Sequence, residues 1–251
     1  MADLLIGTSG WSYEHWKGRF YPPGLPAEDR LAYYAERFGA VEVNSTFYGP
    51  PSAETVRRWA EATPPGFRFA VKASRLLTHD RALAPAPGET EAFFRGLKGL
   101  GGKLSTVLFQ LPPRTPFDAG RLAAFLERLP TEIETTFEFR DPRWWNAEAY
   151  ALLAARGAAF CIFDLNRKLS PLEVTAPFAY VRLHGPVRPY HDRYSDAARE
   201  EWARRIEGWR AEGKGVRLFF DNTEKADAAR DARALRLRLE GGPPPEQGEL
   251  L

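Results

Sequence analysis

The segment ETTFEFRDPRWW, residues 134–145, combines a strand-like apolar run with two opposite charges. Glu138 and Arg140 are two residues apart, and side chains alternate along a strand, so both lie on one face. Phe137 and Phe139 lie on the other face and suit a layer of helices. Buried charges in proteins are paired or hydrogen-bonded. The segment therefore predicts that other parts of the chain bring charged groups to Glu138 and Arg140.

Similar strand-like segments recur along the whole chain, and all but one are followed by a helical segment. Several helices begin after a residue that favours the N-cap position, namely Ser52, Asp118 and Asn146. The stretch after the sixth segment contains Pro171 and Pro177 and has little helical pattern. The eight predicted strands are residues 4–10, 40–48, 67–74, 105–112, 135–140, 158–164, 178–185 and 215–222.

This alternation of strands and helices predicts a parallel sheet. Eight units of about thirty residues, the length of one βαβ step, favour a single (β/α)8 TIM barrel with a weak or missing sixth helix over an open doubly wound sheet. No GxGxxG or GxxxxGK[ST] motif follows a strand, so no nucleotide-cofactor fingerprint is visible. We assign residues 1–240 to the barrel and the tail GGPPPEQGELL, residues 241–251, to a disordered segment.

The composition is that of an ordinary globular protein, with 44% hydrophobic and 27% charged residues. A net charge of +2 does not by itself indicate a nucleic-acid partner, although it is compatible with a local basic patch. Cys161 is the only cysteine, which excludes an intramolecular disulfide and a cysteine-clustered metal site. Neither a secretory leader nor an apolar run of ~18 residues is visible, so we expect a cytoplasmic protein without a membrane span.

Polar residues lie at or near the ends of nearly all the predicted strands. In a (β/α)8 barrel the active site lies at the C-terminal ends of the strands, where alternate side chains point into the barrel. The interleaved residues are apolar and suit the helix-facing layer: Val41, Val43, Val71, Phe137, Phe139, Phe163, Val181 and Leu183. The pattern predicts a polar ring around the barrel mouth, made of Glu42, Asn44, Lys72, Ser74, Gln110, Glu138, Arg140, Asp164, Arg182, His184 and Asn222.

Four members of this ring are candidate catalytic residues. Glu138 and Asp164 are candidate general bases, and His184 can transfer a proton near neutral pH. Lys72 can stabilise developing negative charge or, when desolvated, act as a nucleophile. These residue types indicate acid–base or nucleophilic chemistry without selecting one reaction.

The other members suit substrate binding. Arg140 and Arg182 together can hold a phosphate or carboxylate group. Amide side chains can orient substrate hydroxyl groups or oxyanions, and three loop residues extend the set. The predicted substrate-binding residues are Asn44, Ser74, His79, Gln110, Arg140, Arg182, Tyr190, Asn222 and Trp11.

These patterns also have structural interpretations. Charges inside a barrel can form a closed ionic network that only fills space, and this suits Glu42, which lies deeper than Asn44. The aromatic loop GWSYEHWKGRFYPPGLP, residues 10–26, can stack a sugar or base or can plug the barrel. The basic loop HGPVRPYHDRYSD, residues 184–196, can contact an anion or be a solvated surface loop.

Metal binding is indicated only weakly. The four histidines have no HxH or HExxH spacing, so a multinuclear zinc site lacks its ligands. A single Mg²⁺ or Mn²⁺ on Glu138 or Asp164 is compatible with the sequence. We therefore assign no metal-binding residue and no cofactor.

Several segments together resemble the DUF72 (YecE-like) family, over nearly the whole chain to about Leu239: IGTSGWSYEHWKGRFYPPGLP, VEVNSTFY, TPPGFRFAVKASRLLTH, LFQLPP, FEFRDPRW, YVRLHGP and FFDN. The resemblance implies a (β/α)8 barrel and leaves the activity open. It also implies a strand-end set that comprises Asn44, Lys72, Ser74, His79, Gln110, Glu138, Arg140, Arg182, His184 and Asn222. Two residues depart from the family pattern, Asp141 where a histidine is usual and Asp221 where an asparagine is usual.

Three functional hypotheses follow. The first is an enzyme, with hydrolytic or phosphoryl chemistry, that acts on a small anionic substrate, phosphorylated or nucleotide-like, at the barrel mouth. The second is a nucleic-acid-associated barrel of the repair type, which would use the aromatic and basic loops. The third is a non-catalytic protein that binds a metabolite in the same pocket. The sequence makes no prediction of the oligomeric state.

Overall fold

The computed structural model describes residues 3–242, so the tail predicted to be disordered lies, from residue 243 onward, outside the described residues. Eight parallel strands form the barrel, and a ninth short strand pairs antiparallel with the sixth. The strands are β1 (Leu4–Thr8), β2 (Ala40–Val43), β3 (Arg68–Lys72), β4 (Leu104–Leu111), β5 (Glu134–Phe139), β6 (Ala159–Leu165), β7 (Lys168–Leu169), β8 (Phe178–Leu183) and β9 (Gly215–Phe220). Around the barrel, neighbouring strands follow the order β1-β9-β8-β6-β5-β4-β3-β2, which confirms the predicted (β/α)8 architecture.

Within residues 3–242, six α-helices connect the barrel strands and a seventh follows the last strand. Ser52, Asp118 and Asn146 each accept a hydrogen bond from a backbone N–H in the first helical turn, as their N-cap positions predict. The helices are α1 (Arg30–Ala35), α2 (Ala53–Glu61), α3 (Glu89–Leu97), α4 (Ala119–Glu127), α5 (Ala147–Ala155), α6 (Asp196–Ala211) and α7 (Asp227–Leu239).

The connection between β6 and β8 contains no α-helix, which confirms the predicted weak or missing sixth helix. The chain instead turns back through Asn166 and Arg167, whose φ angles are 54° and 60°. Two successive residues with positive φ are typical of the two-residue turns that close β-hairpins. The resulting hairpin of β6 and β7 extends beyond the barrel and forms part of its rim.

The barrel is nearly closed between β1 and β2, where the backbone makes few direct contacts. The Gly10 N–H donates to the Glu42 carbonyl at 2.7 Å. Deeper in the seam, the hydroxyl of Tyr34 accepts from the Thr8 N–H at 2.9 Å and donates to the Ala40 carbonyl at 3.0 Å. A buried side chain thus replaces a hydrogen bond between the two strands, which satisfies backbone groups that could not reach each other.

Strand side chains divide into two apolar layers, as the two-residue period requires. The larger layer lies between strands and helices and includes Val41, Phe69, Phe109, Phe137 and Val181. The smaller layer fills the barrel interior below the mouth and consists of Leu5, Ala40, Ala70, Leu108, Ala159, Cys161, Ala176, Phe178, Tyr180 and Phe219. The charged residues form a shell above this layer at the mouth, and Tyr180 joins the two, because its hydroxyl donates to Glu42.

Candidate functional site at the barrel mouth

A cavity of about 410 Å³ opens at the C-terminal ends of the barrel strands. Seven residues of the predicted ring and loops border it, together with two aromatic residues, a proline and an aspartate. The lining residues are Asn44, Phe47, Tyr48, Lys72, His79, Gln110, Pro113, Arg140, Arg182, Tyr190 and Asp221. Glu138 and His184 lie immediately below, fully buried, and contact the residues of the cavity floor.

Arg182 is the centre of the ionic network at the floor of this cavity. Its Nη2 donates to Glu42 at 2.7 Å and to Asp221 at 3.3 Å, and its Nη1 donates to Glu138 at 2.7 Å. Its Nε donates to both oxygens of Glu42 at 3.1 and 3.0 Å. The three guanidinium nitrogens are therefore already occupied by protein carboxylates, and the side chain is only 2% exposed. This arrangement makes Arg182 a poor partner for a substrate anion.

Glu42 belongs to the structural part of the network. Besides Arg182, it accepts hydrogen bonds from the Ser9 hydroxyl at 2.7 Å and the Tyr180 hydroxyl at 2.7 Å. Its carboxylate is fully buried and does not border the cavity. A buried carboxylate that is saturated with donors meets the requirement for burying a charge, which favours the space-filling interpretation for this residue.

Glu138 and Arg140, the pair in the opening segment, contact each other directly through Arg140 Nε. Burial alone would raise the pKa of the Glu138 carboxyl group, but the charges of Arg140 and Arg182 outweigh burial and hold the pKa well below its usual range. Glu138 is therefore ionised at neutral pH and poorly suited to accept a proton from substrate. Its physical effect is to position the two arginines.

His184 is held in one tautomer by the same network. Its Nε2 lies 3.2 Å from Arg140 Nη2 and 3.3 Å from Arg182 Nη1. Arginine can only donate, so Nε2 accepts and the ring proton lies on Nδ1. Nδ1 is 2.8 Å from Asp221 Oδ2. The imidazole therefore accepts from two arginines and lies beside an aspartate without an aligned hydrogen bond to it, and it does not border the cavity.

Asp221 is a site residue that the sequence reasoning missed. The predicted site included Asn222, but in β9 the interior face carries Arg217 and Phe219, and Asp221 continues that face. Asn222 lies on the other face, where its Nδ2 donates to Asp231 at 2.8 Å and to the Asp192 carbonyl at 2.8 Å. The alternation along β9 was a signal that could have identified Asp221.

The same one-residue shift applies to β6. Phe163, expected to face the helices, shares the interior face with Cys161, whose Sγ lies 3.9 Å from Glu138 Oε2. Asp164 points the other way, outside the cavity, and accepts from the Tyr194 hydroxyl at 3.1 Å. Burial raises the pKa of the Asp164 carboxyl group. Its position behind the strand disagrees with the predicted role of a general base at the mouth.

Lys72 borders the cavity without a carboxylate partner within ion-pair distance among residues 3–242. Its ammonium lies 4.3 Å from the centroid of the Phe47 ring. Burial, together with the positive charge of Arg182, lowers the pKa of Lys72 to about 8. The side chain is therefore a mixture of the charged and neutral forms in the physiological pH range.

The rim of the cavity carries His79, Tyr48 and Tyr190. The His79 ring packs edge-on against Phe47, with centroids 4.8 Å apart, and burial followed by the charge of Lys72 lowers its pKa. Tyr48 is 82% exposed, and Tyr190 is about half exposed. Exposed aromatic rings beside a polar cavity are surfaces on which a flat substrate group can stack.

Two amides complete the wall. Gln110 donates from Nε2 to the Leu111 carbonyl at 2.6 Å, which fixes the orientation of its side chain. Asn44 Oδ1 is buried and has no hydrogen-bond partner among the described residues. A buried unpaired acceptor is costly, so a donor group of a bound molecule would stabilise this position.

Two other predicted binding residues lie away from the cavity. The Ser74 side chain is absent from its wall, and the Ser74 carbonyl accepts from the Thr78 hydroxyl at 3.2 Å. Trp11 packs edge-on against Trp59, with ring centroids 5.7 Å apart, and borders a separate cavity of about 210 Å³. Most large aromatic residues of the loop 10–26, including Trp16, Phe20 and Tyr21, are buried in the apolar layer between strands and helices, so this loop is mainly part of the structural core.

The charges of the basic loop are also largely paired. Arg188 forms an ion pair with Asp192 at 3.1 Å, Arg193 with Asp231 at 3.5 Å, and His191 contacts Glu224. Ion pairs within the loop and with its neighbours leave little excess positive potential for binding an extended polyanion. This pairing does not favour the nucleic-acid hypothesis.

No group of three or more His, Cys, Asp or Glu side chains within residues 3–242 is arranged as a metal site. The carboxylates of Glu138 and Asp164, considered above for a single divalent ion, instead contact arginines and a tyrosine hydroxyl, respectively. In the described part of the chain, no helix has the length and apolar character needed to cross a membrane.

Comparison with known proteins identifies the family. A family model described as "Protein of unknown function DUF72" matches residues 5–248. The chain belongs to the DUF72 family. The UPF0759 protein YunF of Bacillus subtilis is 26% identical over 265 residues, which cover 92% of this chain and 93% of YunF. The UPF0759 protein YecE of Escherichia coli is 31% identical over 199 residues, which cover 79% of this chain and 66% of YecE.

Solved DUF72 structures show the same fold. A DUF72 protein from Thermotoga maritima superposes with a TM-score of 0.85 at 30% identity, covering 95% of this chain and 99% of that chain. These matches confirm both the family resemblance and the barrel predicted from the sequence. Because DUF72 membership specifies no reaction, the chemistry has to be argued from the site.

Proposed function

We propose that this DUF72 protein is an enzyme that acts on a small anionic substrate, phosphorylated or nucleotide-like, in the cavity at the barrel mouth. Lys72 is the reactive group, and Arg140 contacts the substrate anion. The reaction class is hydrolysis or phosphoryl chemistry, in which a protonated amine stabilises negative charge and a neutral amine accepts a proton or attacks as a nucleophile.

The observation that carries this proposal is the unpaired ammonium of Lys72. Arg140 and Arg182, the other strongly basic residues of the cavity wall, both contact buried carboxylates. Lys72 lies over an aromatic ring with no carboxylate within ion-pair distance in the described chain. Desolvating an amine without a direct counterion destabilises the folded protein, and a bound anion would offset that cost. Residues kept in such positions are often functional.

Arg140 supplies the second contact for an anion. Its Nε and Nη2 are directed to Glu138 and His184, and Nη1 has no protein partner within residues 3–242. The network below therefore holds the guanidinium in place while one nitrogen remains for substrate. Preorganised donors of this kind act without a reorganisation cost when a charged group binds.

The titration of the two candidate bases also favours Lys72. Arginine contacts hold the pKa of Glu138 well below its usual range, whereas the pKa of Lys72 is about 8. A catalytic base is most effective when its pKa is near the working pH. The amine, and not the carboxylate, is therefore the group able to change protonation state during turnover.

A chemical test uses pyridoxal 5′-phosphate, an aromatic aldehyde that carries a phosphate, as a probe of lysine reactivity. The Lys72 amine would attack the aldehyde carbon and release water, and borohydride would then reduce the imine to a stable product found by mass spectrometry. We expect Lys72 to be labelled faster than Lys168, an exposed lysine of the rim, and inorganic phosphate to slow the labelling of Lys72.

Two controls make the test specific. Lys72→Arg keeps the charge and should abolish labelling at this position. Labelling of Lys72 should be half-maximal near pH 8 and level off about one pH unit higher, because the neutral amine is the nucleophile. Equal labelling of Lys72 and Lys168, with no protection by phosphate, would exclude the proposed site.

Turnover separates an enzyme from a binding protein. We expect slow hydrolysis of p-nitrophenyl phosphate by the wild-type protein and its loss in Lys72→Met. Protection of Lys72 by phosphate without hydrolysis of any phosphate ester in a broad panel would instead support the non-catalytic metabolite-binding hypothesis.

A further inference from the structure

A second cavity, of about 310 Å³, lies beside the first at the rim of the barrel. Its walls are mainly apolar and aromatic, and of its lining residues only Arg140 belongs to the site predicted from the sequence. The lining residues are Pro113, Arg140, Trp145, Phe163, Leu165, Asn166 and Lys168. Pro113 and Arg140 border both cavities, so the two spaces are neighbours.

The missing sixth helix creates this cavity. Where other strands are followed by a helix, the hairpin of β6 and β7 continues above the barrel. Phe163 and Leu165 are two residues apart in β6, so both side chains face the cavity. The opposite wall is Trp145, whose Nε1 donates to the Phe139 carbonyl at 3.0 Å. This hydrogen bond fixes the indole ring, whose centroid lies 6.2 Å from that of Phe163. The walls are therefore built from anchored side chains.

Positive charges lie at both ends of the apolar wall. The Arg140 guanidinium is 5.3 Å from the centroid of the Phe163 ring, at the boundary with the polar cavity. At the outer rim, the Lys168 ammonium is 4.7 Å from the centroid of the Trp145 ring. Arg140 is thus placed between an aromatic cavity on one side and the cavity with Lys72 on the other.

We infer that the two cavities form one bipartite site, in which the second cavity holds a flat aromatic ring joined to the anionic group of the substrate. The substrate class is an aromatic compound that carries a phosphate or a similar anion. The ring packs against the cavity wall formed by Trp145 and Phe163, and the anion contacts Arg140 and Lys72. This inference rests on the proposed function, because it assigns the anion to the same two residues.

The volumes and linings favour this division. The first cavity has polar groups on most of its walls, whereas the second offers aromatic and aliphatic surface with few partners for a polar group. Burying apolar ligand surface against apolar walls is favourable. Polar groups at one end then fix the orientation of the molecule. A ligand with a charged end and a flat apolar end is complementary to both halves.

The test compares phenyl phosphate with methyl phosphate as protectants of Lys72 against labelling by pyridoxal 5′-phosphate. We expect phenyl phosphate to protect Lys72 at a concentration at least about tenfold lower than methyl phosphate, because only phenyl phosphate has a ring that reaches the second cavity. Leu165→Gln, on the half-buried wall of that cavity, should remove most of this preference and leave protection by methyl phosphate unchanged.

Leu169→Gln is the matched control, since Leu169 is an exposed leucine of the same hairpin that does not border the cavity. It should keep the preference for phenyl phosphate. Equal protection by both esters, with inorganic phosphate still protective, would overturn the bipartite site and leave the proposed function standing. Protection by none of the three anions would overturn the proposed function, and this inference with it.

Discussion

The two ends of the barrel interior both carry an arginine with acidic partners, but the two sites differ in burial and completeness. At the N-terminal end, Arg217 contacts Glu134 at 2.9 Å and Asp3 at 3.4 Å, and these acidic side chains are 36% and 61% exposed. At the C-terminal mouth, Arg182 contacts Glu42, Glu138 and Asp221, which are all at most 10% exposed. Only the mouth adds an unpaired lysine beside a polar cavity.

This difference teaches that charge inside a barrel is not by itself a sign of function. The ion pair at the N-terminal end has the pattern of a structural interaction, with water available to both acidic groups. At the mouth, most charges satisfy one another as well, and Glu42 and Arg182 act as support for the site. The unpaired amine of Lys72 is the group that indicates function, because a protein gains no stability from a desolvated amine.

The largest expected effect comes from removing the centre of the mouth network. Arg182→Met should lower the free energy of unfolding by about 3–5 kcal/mol, because three buried carboxylates lose their common partner. Urea denaturation of the purified variant measures this change. A loss below about 1 kcal/mol would mean that the carboxylates are solvated or protonated at little cost, contrary to the buried network described above.

Lys72→Met should have the opposite effect and raise the free energy of unfolding. The pKa of Lys72 falls from 10.5 to about 8 on folding, which at ~1.4 kcal/mol per pH unit corresponds to a destabilisation of up to about 3.5 kcal/mol. The variant should therefore be more stable at pH 7 by roughly 1–3 kcal/mol while losing labelling and turnover. The matched Lys168→Met, at an exposed position, should change stability by less than about 0.5 kcal/mol.

The pH dependence sharpens this prediction. Between about pH 8 and 10.5 the unfolded wild-type protein binds more protons at Lys72 than the folded protein, so the wild type gains stability as the pH rises. The gain in unfolding free energy of Lys72→Met over the wild type should be complete below pH 8 and vanish near pH 10.5. A destabilised Lys72→Met variant at pH 7 would show instead that the amine is a structural member of the network.

A smaller effect is expected from Asp221→Asn. The amide oxygen can still accept from Arg182 Nη2, but the favourable charge interaction is lost, so we expect a loss of about 1–2 kcal/mol. Urea denaturation, with Asp192→Asn on the exposed basic loop as a control, measures it. A loss as large as that of Arg182→Met would assign the stability of the network mainly to this carboxylate.

The smallest effect is expected at the N-terminal end of the barrel. Arg217→Met removes an ion pair with partly exposed partners, so the free energy of unfolding should fall by about 1 kcal/mol or less. The effect should decrease further in 0.5 M salt, which screens solvent-exposed charges. If Arg217→Met were as damaging as Arg182→Met, the contrast between the two ends would be wrong.

The fold could be predicted because its signals are local and repeated. Alternating strands and helices, the N-caps and the prolines after β6 each act within a few residues, and eight repetitions outweigh an error in any one of them. The ring of Asn44, Lys72, Gln110 and Arg140 followed from the same two-residue period. These residues all border the cavity that the structure describes.

The prediction of the site was wrong on two strands, β6 and β9, where the inward-facing side chains were assigned one residue too far along the chain. Asp164 and Asn222 were assigned to the interior, whereas Phe163 and Asp221 occupy that face. A shift of one residue moves every side chain of a strand to the other face, so a small error in the end of a strand reverses the conclusion. Strand ends are the least certain feature of a sequence pattern.

The sequence by itself determined the barrel, its missing helix and the presence of charged residues at the mouth. Which of those charges are paired was decided only by the tertiary structure, because Glu42, Glu138, Arg182 and Asp221 come from four different strands. In the segment ETTFEFRDPRWW, the spacing put Glu138 and Arg140 on one face, but only the assembled barrel brought His184 and Arg182 to them. Pairing depends on distances between strands. The sequence pattern predicts the face on which a side chain lies, but it does not predict which side chains of other strands lie beside it.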